Sequence, residues 1–266
     1  TNCKIMNNNK NKQLAINIIA QLIAFSIQIG ISFFLTPFIV KSLGAAAYGF
    51  VGLANNIISY TTLITIALNS MAGRFITISV HQNNIEKANT YFSSVFFSNL
   101  VISIFLFVTS TILIFYLEIC INIPSDLIGD IKALFALLLL NSIIGLVTNV
   151  YAVSTFIRNR LELNSIRTII GNISRAIILI LLFSLCTPHV WYLGISALIY
   201  TTYIGYFNYK YTKRLTPELR LSAKKYDKKA VIELISAGAW NLLSKLSDIL
   251  SQGFDLLLAN LFISAT

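Results

Sequence analysis

Seven long apolar stretches, divided by short polar breaks, make up most of the chain. They cover about 14–38, 46–80, 91–117, 131–156, 168–185, 192–211 and 230–263. About 20 apolar residues in helical conformation cross a bilayer core. Membrane β-barrels alternate apolar and polar residues over short strands, whereas these runs are continuous. The pattern predicts an all-α, polytopic helical membrane protein. Pro37 marks the end of the first span, and Gly44 supplies a tight turn into the second. The third span, aliphatic and aromatic, is the strongest lipid-facing candidate. Breaks fall at 81–90, 118–130, 157–167, 187–192 and 212–229. In the last of these, Thr216–Pro217–Glu218 has the form of a helix start. It predicts either a short amphipathic surface helix or a solvated basic loop.

Polar residues inside the spans are few and patterned. Asn17, Gln21, Gln28 and Ser32 fall within about 60° on the first helix. The second carries Asn55, Asn56, Asn69 and Arg74, the fourth Asn141, Thr148 and Asn149, and the fifth Asn172 and Arg175. In the seventh, Asn241, Lys245, Asp248, Gln252 and Asp255 share one narrow face at about 100° per residue. An ionisable group at a helix centre costs about 2.5–3.5 kcal/mol on insertion scales. Such groups face a bundle interior or a wet cavity, so the chain is expected to enclose one.

The chain has 266 residues, 56% hydrophobic and 11% charged. That is too little charge to cover a water-soluble domain, which has roughly 25%. With the polar tail 1–13 inside, cytoplasmic segments hold 15 of the 20 basic residues. This follows the positive-inside rule, and predicts a multi-pass protein of the cell (cytoplasmic or inner) membrane with a cytoplasmic N-terminus. It also accounts for the net charge of +10 without nucleic acid, because the basic residues border lipid. Cys3, Cys120 and Cys186 have no metal-ligand spacing. His81 and His189 lie at opposite faces with no carboxylate beside them in sequence. No phosphate-binding glycine loop, metal cluster or Ser/His/Asp set occurs. The reading is therefore of a non-enzyme with no cofactor, apart from coupling to H+ or Na+. The chain starts at Thr1 and stops as a helix finishes, which reads as a fragment or as the truncated product of a longer gene.

Spans one and seven align at an offset of 224, matching Asn17 with Asn241 and Gln28 with Gln252. That predicts a repeat: a tail over 1–13, a six-span lobe over 14–211, a basic linker over 212–229, and the first span of a second lobe over 230–266. The stretch NIIAQLIAFSIQIGISFFLTPFIVKSLGAAAYGF, with Pro37, Leu43–Gly44 and Tyr48–Gly49, resembles the opening of Wzx-like polysaccharide flippases of the MOP superfamily. The resemblance covers the whole chain in span count and basic linker, and is specific in residues over about 14–80. It implies two pseudo-symmetric six-helix lobes around a central cavity, with spans one and seven lining it. It also implies flipping of undecaprenyl-pyrophosphate-linked oligosaccharides for surface polysaccharide assembly, alongside other polysaccharide-assembly proteins as partners. One lobe alone is expected to be inactive.

Each polar position has a second reading. Arg175, roughly 15 Å into its span at 1.5 Å per residue, suits a pyrophosphate or an internal ion pair with Asp248. Arg74 suits the lipid phosphate or snorkels to headgroups. Lys245 and Asp248 either neutralise each other, or hold pyrophosphate and couple an ion. Asp255 suits a cation or sugar hydroxyls. Asn17, Gln21, Gln28, Asn241 and Gln252 suit sugar hydroxyls or interhelical hydrogen bonds. Competing readings are a MATE-type multidrug exporter, a membrane enzyme of polysaccharide assembly, and a scaffold.

Overall fold

The computed structural model describes the backbone of residues 2–121 and 123–263, and side chains over 11–248 except Ala46, Ile64, Cys120 and Asn122. Nine α-helices lie in this part: α1 (Asn2–Leu43), α2 (Ala45–His81), α3 (Ile85–Phe115), α4 (Leu117–Cys120), α5 (Ile128–Asn149), α6 (Val153–Ile157), α7 (Leu161–Leu185), α8 (Tyr192–Leu215) and α9 (Lys228–Ile263). A 3-10 turn joins α5 to α6, which together form one span. The long helices run up and down between two ends. At the basic end, Arg158 pairs with Glu218 at 2.6 Å. At the acidic end, Lys132 pairs with Glu118.

Pro37 lies inside α1 and does not end it. Proline removes one backbone donor, but the helix resumes its ladder and runs to Leu43. The true stop is Gly44, whose φ of 83° and ψ of 154° place it in a region nearly exclusive to glycine. Two corners at the basic end use asparagine in the left-handed region instead, at Asn83 (φ 58°) and Asn159 (φ 52°). In each, the next amide reaches back five residues: Asn84 N to Ser79 O at 2.9 Å, Arg160 N to Thr155 O at 2.8 Å. This closes the helix C-terminus in a Schellman-type cap.

α2 turns by 60° between its halves Ala47–Leu63 and Thr65–His81, with no proline nearby. Ser59, Thr61, Thr62 and Thr65 each donate to a carbonyl three or four residues back, at 2.7–2.9 Å. Such back-bonding loosens and bends a helix.

The polarity is inverted relative to a water-soluble protein. Phe33 is 72% exposed and Phe34 77%, while Ser93, Ser94, Asn99 and Ser154 are fully buried. Among the described residues, four helices are long and apolar enough to cross a membrane, or five if bent α2 counts as one span. α3 is not simply lipid-facing as expected. One of its faces buries Asn89, Ser93, Asn99, Ser103 and Ser110, because small polar side chains let helices approach closely and bond across the interface. Two apolar cores close the ends. One includes Ile39, Leu117, Ile131, Phe135 and Val190, the other Ile76, Phe92, Val95, Ile157 and Leu234.

Between α8 and α9 the chain forms neither an amphipathic helix nor a free loop. Residues 216–227 are strapped across the basic end of α3. Asn89 accepts from Arg220 N at 2.6 Å and donates to Glu218 O at 3.1 Å. Ser222 N donates to Ser93 Oγ at 3.2 Å, and Asp227 N to Ser94 Oγ at 2.9 Å. Leu219 is buried in the core beneath. These side chains outcompete local helix formation because they satisfy backbone groups that a helix start leaves open. α9 then packs along α2, while α1 packs along α7. The α9 approach is tightest at Gly238, where a Cβ would lie 1.9 Å from the Ala67 carbonyl oxygen.

Candidate functional site

The structure brings Arg175 and Gln28 together. They line a cavity of about 210 Å³ with Ser32, Tyr48, Asn55 and Asn172. α7 supplies Asn172 and Arg175, one turn apart and so on one face. α1 supplies Gln28 and Ser32, spaced likewise. The first half of α2 supplies Tyr48 and Asn55. Arg175 Nε donates to Ser196 Oγ at 3.4 Å, and Ser196 in turn donates to Leu193 O at 2.8 Å. Among the described residues no carboxylate pairs with Arg175, and its expected ionic partner Asp248 is bound elsewhere. Helices α1 to α8 carry no Asp or Glu in the middle of the bundle: their acids all sit at its two ends. The arrangement is thus a half-buried guanidinium, with donors that no described residue takes up, among neutral amides and hydroxyls.

Two further cavities adjoin it. Gln28 also lines a polar cavity of about 260 Å³ nearer the basic end, with Gln21, Asn164 and Thr168. The α1–α7 seam is therefore polar over much of its length. Ile31, Leu35 and Ala176 form a shared wall, with an apolar groove of about 500 Å³ behind it, lined by Phe34, Phe38 and Ile180.

The other expected site residues lie apart from this cavity. Asn17 is 1% exposed, and its amide is fully engaged. It donates to Asn159 Oδ1 at 2.8 Å and Asn159 O at 3.1 Å, and accepts from Glu162 N and Gln13 Nε2 at 3.2 Å each. Arg74 is exposed on α2. On α9, Asn241 is half-buried, and Lys245 meets Asp248 at 3.7 Å with both side chains largely exposed. Gln252 and Asp255 lie outside the described side chains. His189, expected to lack a carboxylate, is corrected by the fold: its Nδ1 is 2.8 Å from Asp130 Oδ2, because α5 begins beside the α7–α8 turn.

A further cavity, about 460 Å³, opens between α2, α3 and α5, where Thr61, Thr65, Asn69 and Ser142 sit in a largely apolar lining with Leu106 and Leu146. Below it Asn69 and Asn99 exchange amide hydrogen bonds at 2.9 and 3.0 Å. Asn99, Ser196 and Thr36, the last of which also lines the Arg175 cavity, are not singled out by the sequence. Asn99 was legible as a lone amide in the third span; Ser196 and Thr36 are too common in helices to stand out.

The fold is similar to about half of each of several solved transporters of the MOP superfamily. An outward-facing multidrug-resistance MATE transporter of the superfamily superimposes with a TM-score of 0.71 at 14% identity, covering 90% of this chain and 54% of that one. A MATE protein in complex with MaD3S gives 0.74 at 16% identity, covering 94% and 56%. A MOP transporter from Pyrococcus furiosus, whose reversed binding-pocket polarity suggests a different function, gives 0.72 at 14%, covering 92% and 55%. In sequence, the chain is 31% identical over 257 residues to EpsK of Bacillus subtilis (strain 168), an uncharacterized membrane protein, covering 96% of this chain and 50% of that protein. The chain thus spans about half the length of the proteins it matches. No family model matches it.

Proposed function

We propose that this chain is one lobe of a transporter that flips undecaprenyl-pyrophosphate-linked oligosaccharides from the cytoplasmic to the outer leaflet of the cell membrane. The observation that carries the reading is Arg175, a cation at membrane depth with no carboxylate partner among the described residues. A planar guanidinium binds phosphate oxygens in pairs, and the surrounding amides of Gln28, Asn55 and Asn172 both donate and accept, as sugar hydroxyls require. The apolar groove behind Ile31, Leu35 and Ala176 suits the hydrocarbon part of the same amphiphile. On this reading the basic end faces the cytoplasm. α9 begins the second lobe, and Asp248 and Asp255 couple H+ or Na+. Lys245 and Arg74 are secondary contacts for the anion.

The test uses the whole protein carrying this chain, in cells lacking their own flippase. Arg175→Gln is expected to lower surface glycan at least about tenfold, in line with loss of a charge-assisted pair, while inward-facing precursor accumulates. Arg175→Lys is expected to restore part of it. Normal glycan in Arg175→Gln, with protein in the membrane, overturns the anion site. The MATE-type exporter reading takes over if the protein fails to restore glycan but lowers drug accumulation.

A further inference from the structure

A second arginine has a setting unlike that of Arg175. Arg167 lies six residues into α7, about 9 Å from its start. Its Nε donates to Tyr211 Oη at 2.9 Å and its Nη1 to Tyr203 Oη at 3.4 Å. Its guanidinium carbon sits 4.0 Å from the centre of the Phe207 ring. Lys210 Nζ lies 5.9 Å from the same ring centre. The aromatic face reaches this position because Gly171, one turn along from Arg167, has no side chain. A Cβ there would come within 2.8 Å of the Tyr200 ring and 3.5 Å of Tyr203.

Two cations therefore flank one ring, and among the described residues neither has an ionic partner. Glu162, the acid on the same helix, is bound to Arg160 and Gln13. No protein acceptor takes Nη2 among the described residues. Tyr206, whose ring centre lies 5.3 Å from that of Phe207, is exposed at the same level. A depth of about 9 Å at one end of the bundle is close to the boundary between headgroups and acyl chains, where such aromatics gather.

We propose that Arg167 and Lys210, on the Tyr203–Phe207–Tyr211 face, bind the phosphate diester of an anionic phospholipid in the leaflet at the basic end. The tyrosine hydroxyls and the ring hold the guanidinium plane in place before the lipid arrives, so little side-chain freedom is lost on binding. The free edge of the fork takes the diester oxygens, Lys210 adds the second positive charge, and the exposed Tyr206 borders the glycerol and upper acyl chain. The site shares no residue with the Arg175 cavity and does not depend on what that cavity carries.

The purified chain in detergent, titrated with phosphatidylglycerol or phosphatidylcholine and followed by native mass spectrometry, tests this. The wild-type chain is expected to retain phosphatidylglycerol over phosphatidylcholine. Arg167→Gln is expected to weaken that retention about tenfold. Arg214→Gln, which removes an exposed cation with no ring partner, is expected to change it less than about twofold. Tyr211→Phe keeps the charge but frees the fork, and is expected to give an intermediate loss; it decides the matter if Arg167→Gln does not fold. Equal losses for Arg167→Gln and Arg214→Gln, an unaffected Tyr211→Phe, or no preference over phosphatidylcholine would overturn the site. Displacement by millimolar inorganic phosphate would assign it to a soluble anion instead of a lipid.

Discussion

Asn17 does the work of several residues through one amide. It joins α1 to the Asn159 corner and caps the start of α7 through Glu162 N. Asn17→Ala leaves those buried groups unsatisfied, at about 1–3 kcal/mol. The expected result is a lower unfolding temperature in detergent with unchanged transport chemistry. Gly44→Ala forces a side chain into its strained conformation, at about 1–3 kcal/mol, and the same melt measures it. The polar positions of α1 were legible because amides stand out in an apolar helix. Which of them meet open space was not. Asn17, Gln21, Gln28 and Ser32 share a face and all look toward α7, but the α6–α7 corner fills the seam at Asn17 and leaves it open at Gln28. That closure is set by residues more than a hundred positions away.

At the level of helices, the crossing of α9 over α2 has no room for a methyl group. Gly238→Ala drives a carbon into the Ala67 carbonyl, and overpacking of this kind costs about 1–3 kcal/mol. Faster amide exchange is expected in α9 from 230 to 240 and in α2 near its bend, while α7 and α8 keep their protection. The strap offers a separate check. Asn89→Ala removes two of its anchors, so exchange over 216–227 is expected to rise without a change at the α9–α2 crossing. Apolar periodicity located the long helices but placed the starts of α1, α3 and α7 late, at 14, 91 and 168 against Asn2, Ile85 and Leu161, because their first turns are polar and resemble loop. It missed the bend in α2, whose cause is a cluster of hydroxyls and not a proline. It also misjudged 216–227, because a threonine followed by proline starts a helix only if nothing else captures its backbone, and α3 captures it.

Taken whole, the molecule is apolar outside, with polar side chains set between its helices, an apolar core towards each end, and its positive charge gathered at one end. Cys186 is exposed at the acidic end, and Ala223 is exposed in the strap at the basic end. In a Cys3→Ser, Cys120→Ser background, a membrane-impermeant maleimide is expected to label Cys186 in intact cells. With Cys186 also replaced, Ala223→Cys is expected to label only after permeabilisation. The reverse pattern would invert the proposed orientation.

The Arg175 cavity sits in a bundle whose acids and histidines all lie at its ends. At membrane depth, then, this bundle has no group suited to taking up or releasing a proton near neutral pH. On the proposed function, dependence on the proton gradient would then arise outside it, and Asp248 on α9 is the acid proposed to supply it. Asp248→Asn is expected to flatten the pH profile of transport. Gln28→Ala is expected to lower that profile throughout and keep its shape.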